Sequence, residues 1–220
     1  GSRLDPFTKV LPKALIPIDD TPIVHMIMNR FAEYGIQKYF VSVNHKYNMI
    51  KSYFADTAHK YDIRYLEEEK PLGTAGSLQF LENDVKGDFI VTNCDILIDC
   101  DYAELVDFHR KQKFDLTMVV SLNHVRIPYG VCHLEKGGIL KCIEEKPEYD
   151  VLVNTGMYVI NKRLLQYIPE NKKFDITDLI EQSKANGARI GLFPISEKAW
   201  VDIGQWDEYK KTIKQIGTES

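Results

Sequence analysis

The chain reads as an α/β protein, a mixed sheet with helices on both faces. Three observations carry that reading. Between residues 39 and 122, short apolar runs alternate with stretches of helical period. Such alternation builds a parallel sheet covered on both sides. The apolar run 89–92 ends in Asn93-Cys94-Asp95, polar residues at the carboxyl end of a buried strand, where such sheets bind ligands. From Pro128 the spacing tightens around Gly137-Gly138, the mark of a hairpin added to a Rossmann-like first half. The expectation is one three-layer unit over residues 1–220, without repeat or linker.

The elements follow in order. Thr21-Pro22 is expected to open a helix, with Thr21 as N-cap and Pro22 at the first helical position. Ile23, Ile27, Phe31 and Tyr34 form its apolar face, and Gly35 closes it. Residues 39–43 are a buried strand, 47–54 a helix and 63–66 another strand. Glu67-Glu68-Glu69 reads as a solvated strand end. A helix begins at 72–76, and residues 102–113 form the next, with Leu105, Val106 and Phe108 inward and Asp99 and Asp101 as surface or cap residues. Strand 116–122 follows, then a hairpin over 130–145 and a strand over 151–160. Asp175 starts a helix that Asn186-Gly187 stops. Short strands at 190–194 and 200–203 precede a closing helix at 205–216.

Composition narrows the class. The chain has 220 residues, 44% hydrophobic and 27% charged, ordinary values for a globular protein with a sizeable core. A net charge of −4 excludes a broad basic surface for nucleic acid. No apolar run approaches the roughly 20 residues that span a membrane, and no signal peptide is visible. The expectation is a cytoplasmic enzyme with neither a nucleic acid nor a membrane as partner. None of Cys94, Cys100, Cys132 and Cys142 forms a C-x-x-C pair, which argues against zinc. Cys94 and Cys142 sit in apolar runs and read as reduced core residues. The six histidines are scattered without metal spacing and read as structural or surface groups.

Residues 1–13 concentrate phosphate chemistry. Gly1 and Ser2 can bring bare backbone N–H groups close to a phosphate. Arg3 adds a planar fork, and Lys13 a compact charge on a long stem. Pro6 and Pro12 stiffen the loop between them. A phosphate loop is expected to follow a buried strand, which would lie upstream of Gly1; Gly1-Ser2 also reads as a tag remnant. Two acids stand among apolar neighbours, Asp95 and, in Trp200-Val201-Asp202-Ile203-Gly204, Asp202. A buried carboxylate needs a metal, a cation or donors, although each alone also suits a cap or turn.

The run Arg3-Leu-Asp-Pro-Phe-Thr through Leu11-Pro-Lys-Ala-Leu-Ile-Pro-Ile18 resembles the signature of the sugar-1-phosphate nucleotidyltransferases, which make NDP-sugars. With Ser121-Leu122, Pro128-Tyr-Gly130 and the 200–206 segment, the chain looks closest to bacterial mannose-1-phosphate guanylyltransferase-like enzymes. The resemblance implies a fold of the nucleotide-diphospho-sugar transferase type and in-line attack of a sugar 1-phosphate on the α-phosphorus of an NTP. It implies that Arg3 and Lys13 stabilise the triphosphate and the departing pyrophosphate. By the same resemblance, Gly1, Ser2, Leu72, Gly73, Thr74 and Gly76 would bind the nucleotide, with Leu-Gly-Thr-Ala-Gly resembling the guanylyl branch, so GTP is favoured. The resemblance also implies that Asp95 and Asp202 hold magnesium (Mg2+). It implies that Glu145 meets the sugar and Lys146 its phosphate, with Gly130 and Asn154 against the sugar. Some relatives carry an upstream pair of CBS domains, and a homo-oligomer is compatible with the family.

The same residues leave two rival readings. A metal-dependent glycosyltransferase would use Asn93-Cys94-Asp95 as a degenerate acid-x-acid motif, but leaves Arg3 and Lys13 unexplained. A non-catalytic regulatory relative would be expected to lack the signature lysine or a metal acid.

Overall fold

The computed structural model describes residues 10–44, 47–55 and 61–203. A 3₁₀ turn, Lys13–Leu15, follows Pro12 and buries Ala14 and Leu15. β1 (Pro17–Ile18) and β2 (Thr21–Pro22) then pair antiparallel. Asp19 makes the reversal at φ 50, a region that aspartate tolerates better than most residues. The expected helix start is corrected by this ribbon. Pairing keeps residues 21–22 extended, so α1 runs Ile23–Glu33 with Pro22 as its N-cap at ψ 143. Ile23, Ile27 and Phe31 face inward as expected. Tyr34 lies beyond the helix and is 37% exposed, with its ring edge-on to Tyr102. Gly35 ends the helix as expected, at φ +78.

β3 (Lys38–Val43), α2 (Tyr47–Ala55) and β4 (Asp62–Glu67) form a parallel strand–helix–strand unit, with Lys38 opposite Asp62 and Val43 opposite Glu67. The helix expected to begin at 72–76 is instead a loop leading into a 3₁₀ turn, Gly76–Leu81. β5 (Asp88–Thr92) and β6 (Ile96–Ile98) follow. α3 (Tyr102–Lys111) is capped by the Asp101 carboxylate, which accepts from the N–H groups of Ala103 and Glu104. Then come β7 (Leu116–Arg126), β8 (Val131–Leu134), β9 (Leu140–Glu144) and β10 (Glu148–Asn161). α4 (Ile176–Ala185) carries the capping box of Asp175 and Asp178. β11 (Ile190–Ser196) and β12 (Trp200–Asp202) complete the described strands. The expected helix at 205–216 lies outside the described residues.

The main sheet has the order β11-β7-β10-β5. β11 runs parallel to β7, and β10 antiparallel to both β7 and β5. The mixed sheet is therefore as expected. β10 shows why there are three layers. Successive strand residues point to opposite faces, and Met157 and Val159 enter one core with Ile27 and Phe31 of α1 and Leu105 of α3. Tyr158 and Ile160 enter another, with Leu179 and Ile180 of α4. A third cluster joins Ala14, Leu15, Val43, Ile50 and Phe54.

β7 and β10 run longer than the sequence suggested. Their pairing continues from Asn154 opposite Val120 to Glu148 opposite Arg126, carrying a ribbon past the other strands. With the β8–β9 hairpin it makes an arm over residues 122–152. Most of that arm is exposed, including Tyr129 at 75% and Leu134 at 71%. Cys94, Cys132 and Cys142 are exposed too, which corrects the core placement of Cys94 and Cys142: Cys142 is on the arm, and Cys94 lies beyond the end of β5. All four thiols are free. His109 is a core group, its Nδ1 2.8 Å from the Thr117 hydroxyl. Burial pushes its pKa below the ordinary value, against the pull of Asp88.

Candidate active site

Beyond the end of β5 the chain crosses Asn93 and Cys94 to Asp95, then enters β6. The Asn93 N–H donates to the Gly156 carbonyl at 3.2 Å, so this crossing is tied to β10. The Asp95 carboxylate forms an ion pair with the Lys13 ammonium. The two side chains are 14% and 29% exposed. Lys13 is aimed by its neighbours: Leu15 N–H bonds to the Pro12 carbonyl at 2.9 Å, and buried Ala14 and Leu15 anchor the turn.

Asp202 arrives from the other end of the chain. β12 pairs antiparallel with β6, placing Asp202 opposite Ile96. The Ile203 N–H donates to the Asp95 carbonyl at 2.9 Å, and Ile203 itself is fully buried. The two-strand ribbon thus sets the backbone of Asp202 beside that of Asp95, whose carboxylate pairs with Lys13. Two carboxylates fit a hard cation such as magnesium, which prefers oxygen ligands and often takes only one or two from protein. Gly1, Ser2 and Arg3 lie outside the described residues.

The 72–76 segment is clamped by residues 172–176. Phe174 N–H bonds to the Leu72 carbonyl at 2.8 Å, and the N–H groups of Ala75 and Gly76 both reach the Phe174 carbonyl at 3.0 Å. Thr74 N–H donates to Asp175 Oδ1 at 3.0 Å, and Thr74 Oγ1 accepts from the Ile176 N–H at 2.8 Å. Thr74 therefore caps α4 from outside it. Gly73 has φ +81, and a Cβ there would lie 2.7 Å from the Phe174 carbonyl oxygen. Packing against this protein segment demands glycine whatever else the loop binds. Glu68 holds the other end, its Oε2 accepting from the Leu72 N–H at 2.9 Å. Asp175 and Glu68 were not expected as loop anchors. Asp175 was legible only as a helix start, and Glu68 only as part of an acidic run.

The remaining expected residues sit on or beside the arm. Gly130 packs on Glu145, and a Cβ there would come within 2.9 Å of Glu145 Oε2. Lys146 is exposed, in the left-handed region at φ 47. Among the described residues, the pairs Arg126–Glu148 at 3.5 Å and His133–Glu144 at 3.4 Å stay within the arm. Asn154 stands where the β7–β10 register shifts. Its Nδ2 donates to the Tyr158 hydroxyl at 2.7 Å, and its Oδ1 accepts from the Gly156 N–H at 3.1 Å. Asn154 thus holds a bulge, a device that re-aims a strand beside a site. The bulge delivers Gly156, at φ +91, against the Asn93 amide; a Cβ would lie 2.6 Å from Asn93 Nδ2. Asn93 is a contact that its sequence position did not signal.

A family model described as Nucleotidyl transferase matches residues 1–219. The chain belongs to the nucleotidyl transferase family. One relative is the D-glycero-alpha-D-manno-heptose 1-phosphate guanylyltransferase of Aneurinibacillus thermoaerophilus, 28% identical over 218 residues, covering 98% of this chain and 94% of that one. Another is the UTP–glucose-1-phosphate uridylyltransferase of Synechocystis, 27% identical over 237 residues, covering 98% of this chain and 61% of that one. Among solved structures, HddC from Yersinia pseudotuberculosis superposes with a TM-score of 0.71 at 22% identity, over 94% of this chain and 90% of that one. That likeness shows the same fold. The chain is thus a nucleotidyl transferase in which Lys13 and Asp95 pair at the strand end and the β6–β12 ribbon sets Asp202 alongside. Among the described residues, no helix is long and apolar enough to cross a membrane.

Proposed function

We propose that this nucleotidyl transferase moves a nucleotidyl group from an NTP, with GTP favoured, to a sugar 1-phosphate, releasing pyrophosphate. The observation that carries the reading is the Lys13–Asp95 ion pair at the strand end, with the backbone of Asp202 paired beside it on the β6–β12 ribbon. Both reactants are polyanions, so their repulsion is the main obstacle. Catalysis is then positioning plus charge neutralisation, with no covalent protein intermediate. Magnesium bound by Asp95 and Asp202 would supply charge neutralisation between the two phosphate groups. Lys13, with Arg3, steadies the triphosphate and the departing pyrophosphate. Leu72, Gly73, Thr74 and Gly76 offer a fixed backbone wall to the base, and Gly1 and Ser2 offer N–H groups to its phosphates. Lys146 holds the attacking phosphate, with Glu145, Gly130 and Asn154 on the sugar side. A phosphate monoester is already anionic near neutral pH, so no histidine base is needed.

The guanylyl preference rests on the name of the heptose 1-phosphate relative and the Leu-Gly-Thr-Ala-Gly form. The same reading makes residues 1–220 one catalytic unit in the cytoplasm, serving surface polysaccharide or glycan precursor synthesis. It is compatible with a homo-oligomer and with an upstream CBS-domain pair. The test is a matrix of pyrophosphate release. ATP, CTP, GTP, UTP and dTTP are crossed with mannose, heptose, glucose and N-acetylglucosamine 1-phosphates, with and without magnesium. One strong magnesium-dependent combination names both substrates. Free nucleoside diphosphate in place of pyrophosphate would mean glycosyl transfer. No product at all, with nucleotide still bound, would mean a regulatory role.

A further inference from the structure

Tyr158 puts a hydroxyl at a core position of β10. It is 3% exposed and shares its core with Leu66, Ala75 and Leu179. Its neighbours Met157, Val159 and Ile160 fill their buried positions without a hydroxyl. A phenylalanine would occupy nearly the same space, and a buried hydroxyl costs free energy unless it is hydrogen-bonded. The partner here is Asn154, whose Nδ2 donates to the Tyr158 hydroxyl at 2.7 Å.

The direction of that bond is fixed. The Gly156 N–H can only donate, and it lies 3.1 Å from Asn154 Oδ1. The amide oxygen therefore faces Gly156 and the amide nitrogen faces Tyr158. Yet the Asn154 side chain is exposed. Among the described residues its amide spends one N–H and one oxygen lone pair on the protein, which leaves one of each.

The bulge backbone does not depend on the Tyr158 bond. The Thr155 hydroxyl donates to the Val119 carbonyl at 2.8 Å, and the Gly156 carbonyl accepts from the Asn93 N–H at 3.2 Å. What the Tyr158 hydroxyl adds is the orientation of an exposed amide. The terminal torsion of an asparagine is otherwise broad, and fixing it costs side-chain entropy. A buried group that locks an exposed polar one is the arrangement of a binding group held ready for its ligand.

We propose that Tyr158 is a positioning residue for the acceptor side of the reaction. Its buried hydroxyl turns the Asn154 amide so that the remaining N–H and lone pair meet two neighbouring hydroxyls of the sugar 1-phosphate. The proposal rests on the sugar-side reading of Asn154 and adds what aims it. The same bulge is bonded to Asn93, two residues ahead of Asp95. The aimed amide is thereby held in register with the strand end where Lys13 and Asp95 pair.

Steady-state pyrophosphate release separates aiming from packing. Tyr158→Phe, Asn154→Ala and the double variant are compared with the wild type, using the NTP and sugar 1-phosphate selected by the substrate matrix. Tyr158→Phe is expected to raise the KM for the sugar 1-phosphate about five- to tenfold, the worth of one hydrogen bond, while the KM for the NTP stays within about twofold. The double variant is expected to match Asn154→Ala, because Tyr158 acts through Asn154. Equal rises in both KM values, no rise for the sugar 1-phosphate, or a further rise in the double variant overturns the proposal. A second readout needs no substrate and begins with the wild type. In isotope-labelled protein the Asn154 side-chain amide signals are expected away from those of a free asparagine, and Tyr158→Phe should move them toward the free values. Free values in the wild type, or unchanged signals in Tyr158→Phe, overturn the proposal. A wild type that releases no pyrophosphate with any pair overturns the proposed reaction instead, and the amide signals then decide whether Tyr158 aims Asn154.

Discussion

On the nucleotide side of the proposed site, Leu72 and Ala75 are 2% and 0% exposed, and backbone bonds lock residues 72–76 onto residues 172–176. On the sugar-phosphate side, Tyr129 and Ile143 are 75% and 58% exposed, and the Arg126–Glu148 pair that holds the arm lies on its surface. Exposed pairs of this kind contribute only about 0–1 kcal/mol each. The two sides have equally clear sequence motifs, yet one is a fixed wall and the other a projecting ribbon. Motif strength therefore says nothing about stiffness, which depends on what each segment packs against. The strand end bearing Lys13, Asp95 and Asp202 belongs with the fixed side.

That contrast can be broken or sharpened. The largest effect is expected at the fixed strand end. Lys13→Ala should lower pyrophosphate release by about 10²–10³, as the loss of one placed charge donor does elsewhere, with the circular dichroism spectrum kept. Near-normal turnover would remove Lys13 from the chemistry. Asp202→Asn should raise the half-saturating magnesium concentration at least about tenfold; an unchanged magnesium titration would move the metal elsewhere. Next comes Gly73→Ala, which forces a side chain into a left-handed position against the Phe174 carbonyl. A loss of roughly 1–3 kcal/mol in chemical denaturation is expected, together with weaker nucleotide binding.

A smaller effect depends on pH. Burial holds the His109 pKa below its usual 6.5, with Asp88 opposing the shift. The unfolded chain then takes up a proton before the folded one. Stability is complete above the unfolded value and falls as pH drops below it. His109→Asn should flatten that part of a thermal-midpoint profile; an unchanged slope would place the acid sensitivity in another group. The smallest effect belongs to the arm. Ile143→Ser should shift stability by no more than about 0.5 kcal/mol while any change appears in the KM for the sugar 1-phosphate. A large loss of stability would show that the arm is part of the core after all.

Much of the site was legible because its residues are polar where the pattern is apolar. Asp95 and Asp202 stood out against their neighbours, and Lys13 stood at the end of a loop stiffened by prolines. The anchoring partners were less visible. Thr74 suits a loop and Asp175 a helix start, but nothing local says that one completes the other's cap. Asn154 was read as lying against the sugar, and nothing local said that its amide spans the bulge from Tyr158 to Gly156. Thr21-Pro22 looked like a helix start because both residues favour one, and pairing with residues 17–18 overrode that local preference.

By itself the sequence determined the alternation of strands and helices, most of the order of elements and the acids and lysine of the strand end. Those follow from periodicity and from the cost of burying charge, both local properties of the chain. Only the tertiary structure decided that β12 lies on β6, so that Asp202 reaches Asp95. It alone decided that residues 172–176 clamp the 72–76 loop and that residues 122–152 stand out as an arm. These depend on pairing between residues far apart in the chain, and long-range pairing leaves no mark in the spacing of either partner.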